Sequence, residues 1–266
     1  MQNDPLFFIY EKNTEPSPPV PSDFKIERYP YSIRGNRRKG GKRMNYRHEW
    51  KHEINYADLL TLRLRLSAVM QQDEHTLGGV YRIRSLYFDN LYDKALREKI
   101  DGVDRREKFR IRYYNGDSSV IHLEKKSKWN ALGTKDSVAL TAAQAQSIVN
   151  GDIDWMLTAP DALVRELYDR MRTTGLRPRT IVDYTREPFV YAPGNVRITF
   201  DYDIRTGLQC TDFLDPHCLT VPVPDDPILL EVKWDEFLPS VIRDAIQLEG
   251  RQSSGYSKYA ACRSFG

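Results

Sequence analysis

Five stretches of this chain alternate apolar with charged residues, and most of the charged positions are basic. Phe109, Ile111 and Tyr113 alternate with Lys108, Arg110 and Arg112, and Ile121 and Leu123 alternate with His122, Glu124 and Lys126. Val196, Ile198, Phe200 and Tyr202 interleave with Arg197, Thr199, Asp201 and Asp203. Leu230 and Val232 stand between Glu231 and Lys233, and Arg47, Glu49 and Lys51 open the series. Side chains two apart in a strand share a face, so each stretch predicts a strand with one apolar and one charged face. With these, segments 47–53, 80–89, 107–114, 120–128, 180–191, 196–202 and 228–234 read as strands. Asn55 predicts a cap for a helix running to about residue 71, with Leu59, Leu62, Leu66 and Met70 at helical intervals. Further helical patterns fall at 142–149, 161–173 and 238–248. Helices inserted irregularly among strands predict an α+β fold with a largely antiparallel sheet.

For a single strand, a solvated polar face is the simpler explanation of alternation. Several cationic rows in one sheet are harder to explain that way, because like charges on neighbouring strands repel unless an anion lies between them. Closing the sheet would remove its edges and line a lumen with the charged face. Arg forks and Lys point charges in such a lumen suit phosphate. The minority carboxylates would weaken phosphate binding unless they hold a divalent cation bridging to it. The expectation is a metal-assisted triphosphate or polyphosphate site.

Composition narrows the alternatives. The formal net charge of the 266 residues is only +3, so anion binding has to come from charge placement rather than from a generally basic surface. Residues 1–43 combine Pro16, Pro18, Pro19 and Pro21 with a basic run ending at Arg43, and read as a mobile arm beside a 44–266 domain. Cys210, Cys218 and Cys262 are too few for a disulfide framework, and Cys210, His217 and Cys218 lack the second ligand pair of a structural zinc site. Reduced thiols in a cytoplasmic protein are expected. No apolar run reaches the roughly 20 residues of a membrane span, so any place at the cytoplasmic face of a membrane would come through a membrane-protein partner. Tyr114, Tyr184 and Tyr256 interleave with basic residues but give no stacking platform, and no nucleic-acid partner is expected.

The chain resembles the triphosphate tunnel metalloenzymes, and most closely their vacuolar transporter chaperone (VTC) domain branch. The resemblance rests on an ordered set: Arg47-x-Glu49-x-Lys51, Ser85-Leu-Tyr-Phe-Asp-Asn90, Arg110-x-Arg112, Leu123-Glu-Lys-Lys126, Tyr184-x-Arg186, Arg197-x-Thr-x-Asp201, Leu230-Glu-Val-Lys233 and Tyr256-Ser-Lys-Tyr259. It implies a closed eight-stranded antiparallel β tunnel with helices packed outside. It also implies ATP-dependent synthesis of inorganic polyphosphate with Mn²⁺ or Mg²⁺. By position, it assigns Lys51, Arg110, Arg112, Lys126, Arg186 and Arg197 to the triphosphate and growing chain. Lys135 from a loop, Tyr184, Ser257 and Lys258 would add phosphate contacts, and Glu231, with Glu124 second to it, would ligate the metal.

Two departures stand out. Gly255 occupies a position that can be basic in relatives, which predicts a lost phosphate contact. Arg47 replaces the first glutamate of the hydrolytic tunnel enzymes, which favours polymerisation over hydrolysis. A tunnel triphosphatase and a non-catalytic polyphosphate or inositol-phosphate binding module stay open as alternatives.

Overall fold

The computed structural model describes residues 47–129 and 132–264. The expected N-terminal arm lies outside the described residues. In chain order the elements are β1 (His48–Ile54), α1 (Tyr56–Val69), β2 (Gln71–Gln72), β3 (Tyr81–Asp89), α2 (Lys94–Ile100), β4 (Arg106–Tyr114), β5 (Asp117–Trp129), β6 (Leu132–Leu140) and α3 (Ala142–Asn150). They continue with α4 (Ala162–Thr174), β7 (Arg177–Tyr191), β8 (Val196–Thr206), β9 (Val221–Pro222), β10 (Ile228–Trp234), α5 (Ser240–Ala245) and α6 (Lys258–Arg263). None of the helices among the described residues is long and apolar enough to cross a membrane.

Local chemistry sets the helix starts. The Asn55 side chain accepts from the Asp58 amide while the Asp58 carboxylate accepts from the Asn55 amide, a reciprocal cap that fixes the first turn of α1. Thr141 and Gln144 repeat the device at α3, and Asp161 caps α4. The β7–β8 turn needs Gly194: its φ of +73° is left-handed, and a Cβ there would collide with the Phe237 carbonyl.

All strand pairings are antiparallel, and the eight longer strands follow the order β1-β10-β8-β7-β3-β4-β5-β6. The α+β antiparallel expectation therefore holds, but the closed tunnel does not. The path ends at β1 on one side and β6 on the other, so the sheet is an open half-barrel. The outer edge of β1 is already occupied: the Ser254 amide donates to the Lys51 carbonyl at 2.7 Å, and Ser253 bridges to His52. A strand edge filled this way offers nothing to β6.

The outer face of the sheet is apolar. Leu59, Leu62 and Leu66 of α1 and Ile242 of α5 pack on Ile198, Phe200, Leu230 and Val232. Ile148 of α3 and Leu163 and Leu167 of α4 cover Phe109, Ile111, Ile121 and Leu123. On the inner face, α2 and α6 bury Ala95, Tyr259 and Cys262 against Tyr81, Ile83, Tyr87 and Val182.

Strand β6 is a feature the sequence reading lacked, since segment 132–137 has no apolar alternation and Gly133 reads as loop. The helix expected over 238–248 is confined to Ser240–Ala245, following Pro239.

Candidate functional site

Register places the charged rows on one face. Directly opposed residues in an antiparallel pair project to the same side. Glu49, Lys233 and Arg197 stand in line across β1, β10 and β8, as do Lys51, Glu231 and Thr199. Asp201 then faces Arg186 on β7, which faces Tyr81 on β3. At the other end Tyr87, Arg110, Glu124 and Ser137 form one row, and Lys108, Lys126 and Lys135 form the next. The two ends also act on each other across the trough: Lys126 on β5 feels Lys233 and Glu231 on β10, and Lys108 on β4 feels Lys51 on β1. The open sheet is thus curled enough for its charged rows to confront one another.

Glu231 is the hub of one half. Its carboxylate lies 2.6 Å from Lys233, 3.3 Å from Lys51, 3.4 Å from Lys258 and 3.6 Å from Arg186. Burial pushes its pKa up, but these four cations outweigh burial and hold it well below the usual carboxylate range. Asp201 joins the cluster, accepting two hydrogen bonds of 2.6 Å from Arg186 and lying 2.5 Å from Lys258. Tyr184 lies under this group, with Lys258 Nζ 4.8 Å from its ring centre. Burial raises the Tyr184 phenol, yet Arg112, Arg186 and Lys258 bring it down to about 8.

Glu124 is the hub of the second half. It accepts from Arg110 Nε at 2.7 Å and lies 2.6 Å from Lys135 and 3.8 Å from Arg112. Arg110 also donates to Tyr87 Oη at 2.7 Å, and Arg112 donates to Tyr184 Oη at 3.1 Å, linking the two halves. Lys135 therefore reaches the site from strand β6, opposite Lys126, and not from the loop the sequence suggested.

Beyond these two hubs two lysines lack a counter-charge. Neither Lys126 nor Lys108 has an ion-pair partner among the described residues. The Arg110 guanidinium and then burial hold Lys126 well below the usual lysine range. Burial, with Lys51 and Arg110 next, lowers Lys108 to about 7. Lys108 Nζ donates to Ser257 Oγ at 3.3 Å, so the Ser257 hydroxyl serves β4 while also capping α6. Arg197 donates to Asp73 at 3.0 Å through Nη2, but its Nε and the Thr199 hydroxyl, both buried, have no partner among the described residues. These are donors left for an anion.

The structure thus brings every sequence-assigned residue to the inner face or its rim. The assignments had omitted Asp201, Lys233, Lys108 and Lys99. The first three were readable, since each shares an alternating row with an assigned residue. Lys99 was not: it comes from α2, and its Nζ lies 3.3 Å from where a Gly255 Cβ would stand, so an amine occupies the space beside that glycine. Arg47 pairs with Asp235, at 2.8 Å.

No group of three His, Cys, Asp or Glu residues converges as a metal cage among the described residues. A divalent ion held on the inner face would rest on Glu231 and on ligands it brings with it.

Comparison with known proteins follows the same line. No curated protein matches the chain. Solved structures share its general outline at low identity. A Bacillus halodurans protein provisionally described as an adenylate cyclase is 13% identical, over 70% of this chain and 78% of its own, with a TM-score of 0.42. PH1012 from Pyrococcus horikoshii OT3 is 10% identical over 80% and 96%, with a TM-score of 0.43, and PH1819 from the same organism is 14% identical over 76% and 84%, at 0.37. These likenesses are too weak to carry an argument. The VTC domain profile, by contrast, matches residues 46–265, a span holding all the strands and both carboxylate hubs. With its ordered basic rows and that match across most of its length, the chain belongs to the VTC domain family.

Proposed function

We propose that this protein is a polyphosphate polymerase, transferring the γ-phosphoryl group of ATP to the end of an inorganic polyphosphate chain with Mn²⁺ or Mg²⁺ present. The observation that supports this reading most is the charge imbalance of the inner face. Lys108 is half-buried and Lys126 exposed, neither has an ion-pair partner among the described residues, and both are crowded by other cations, a repulsion that an arriving anion relieves.

Arg186, Lys258, Lys51 and Lys233 around Glu231 hold the nucleotide triphosphate, with Tyr184, Arg197 and Thr199 supplying further donors. Arg110 and Arg112 neutralise the phosphoryl group in transit. Glu124, shared by Arg110, Arg112 and Lys135, orients those cations, and Glu231 would be the main carboxylate for the metal. Lys126, Lys108 and Ser257 hold the acceptor chain. A divalent ion bound with the phosphates would supply Lewis-acid stabilisation of charge on the transferred group.

An oxygen of the terminal chain phosphate attacks the γ-phosphorus, a new P–O bond forms, the bond to the β-phosphate oxygen breaks, and ADP leaves. Phosphate oxygens are already ionised at neutral pH, so no side-chain base is needed. Positioning and charge neutralisation supply the catalysis.

The test is incubation with ATP and Mn²⁺ or Mg²⁺, with the products resolved by gel electrophoresis. A ladder of long chains supports polymerisation. Orthophosphate or pyrophosphate alone identifies a triphosphatase, and no product with either metal leaves a binding module.

A further inference from the structure

The connection from β8 to β10, outside the site, carries two cysteines whose sulfurs lie 2.9 Å apart, Cys210 and Cys218. Both are free thiols, partly exposed. Their positions are set by bonds that do not involve sulfur. Gly207 starts the loop where a Cβ would lie 2.9 Å from Ile181 Cβ, and its carbonyl accepts from the Cys210 amide at 2.8 Å. Phe213 is fully buried in the outer core, and its carbonyl accepts from Tyr113 Oη at 3.1 Å. Arg84, held by Asp183, donates to the Asp215 carbonyl at 2.7 Å, and that same carbonyl accepts from the Cys218 amide at 3.2 Å. Beyond Cys218, Arg205 donates to the Thr220 carbonyl at 2.6 Å. Both ends of the loop are thus anchored, and the thiols face each other across it.

We infer that Cys210 and Cys218 form a reversible disulfide that locks the loop between the strand carrying Asp201 and the strand carrying Glu231. The oxidant is a small-molecule or protein disulfide. The Cys210 thiolate attacks one of its sulfurs, giving a mixed disulfide and releasing one thiol. The Cys218 sulfur, losing its proton to solvent, then displaces the second thiol and forms the intramolecular bond. Two cysteine thiols are oxidised and one external disulfide is reduced to two thiols. Burial and the neighbouring Cys210 push the Cys218 thiol up to about 12, so the second step quickens as pH rises. Cys262 provides an internal control: it is buried, and its Sγ is directed at the Arg205 carbonyl at 3.6 Å.

The test uses the full chain equilibrated with mixtures of reduced and oxidised glutathione, then alkylated under denaturing conditions and digested with trypsin. Cleavage after Arg205 and Lys233 leaves both cysteines in one peptide. Under oxidising mixtures that peptide should be about 2 Da lighter than its dithiol form and take no label, while Cys262 is labelled. The oxidised protein should melt about 5–10 °C above the reduced one, a gap expected for a short closed loop in a domain of this size. A Cys210→Ser, Cys218→Ser variant should lose both effects. Two labels on the peptide at every glutathione ratio, pairing of either residue with Cys262 or a second molecule, or an unchanged melting temperature on oxidation would each overturn the inference.

Discussion

Lys258 Nζ stands 2.5 Å from the buried Asp201 carboxylate, tying helix α6 to the inner face of strand β8. The same amine lies 3.4 Å from Glu231. Removing it strips a counter-charge from two buried carboxylates at once. Lys258→Ala is expected to cost about 3 kcal/mol of stability, measured by denaturant unfolding, and to lower activity by at least tenfold.

The same cluster sets the acid limit of the fold. Asp201 and Glu231 are held below ordinary carboxylate values, because their cations outweigh the effect of burial. Groups with depressed folded-state pKa values stabilise above their unfolded pKa, and that contribution is lost as pH falls through the folded value. Stability should therefore be nearly flat from pH 7 to about 5 and fall progressively below about pH 4. In Lys258→Ala the pH-dependent loss should be smaller, because less depression remains to be lost. Acid unfolding followed by circular dichroism should nevertheless set in at higher pH, because the variant starts less stable.

Lys108 gives binding its own pH dependence. With its pKa lowered to about 7, chiefly by burial, a large fraction of this amine is neutral at pH 8 in the free protein. An arriving polyanion favours the ammonium form, so binding takes up a proton. Calorimetry of tripolyphosphate binding at pH 8, in buffers of different ionisation enthalpy, should show net proton uptake in the wild type and less in Lys108→Ala. Equal uptake in the two proteins would remove Lys108 from the account.

Glu124→Gln should leave Arg110, Arg112 and Lys135 without their shared counter-charge. Thermal melts should show a loss of about 3–5 kcal/mol that added tripolyphosphate partly restores, because the ligand supplies the missing negative charge. Leu62→Ala on α1, fully buried in the outer core, should lose a similar 2–5 kcal/mol without such restoration.

How far the sequence disclosed this arrangement depended on the period of its pattern. The rows containing Arg110, Glu231 and Arg197 were visible because apolar partners alternate with them, and alternation fixes a shared face without any coordinates. Strand β6 was hidden because its core-facing apolar residues come late, at half-buried Val138 and buried Leu140, while Gly133, Thr134 and Lys135 precede them. Lys99 was hidden because α2 carries no motif, and its approach to Gly255 depends on tertiary docking. Closure was misjudged for a related reason: the segment at Ser253 and Ser254 that fills the β1 edge carries no strand pattern.

The central claim is that Glu231, set among four basic side chains, serves phosphoryl transfer to a growing chain. The direct measurement is the product length distribution from ATP and Mn²⁺ for wild type and Glu231→Gln, alongside tripolyphosphate binding by both. The account predicts a ladder of long chains from the wild type, no ladder from the variant, and binding retained in both. A wild type that releases only orthophosphate, or a variant that polymerises as well as the wild type, would contradict it.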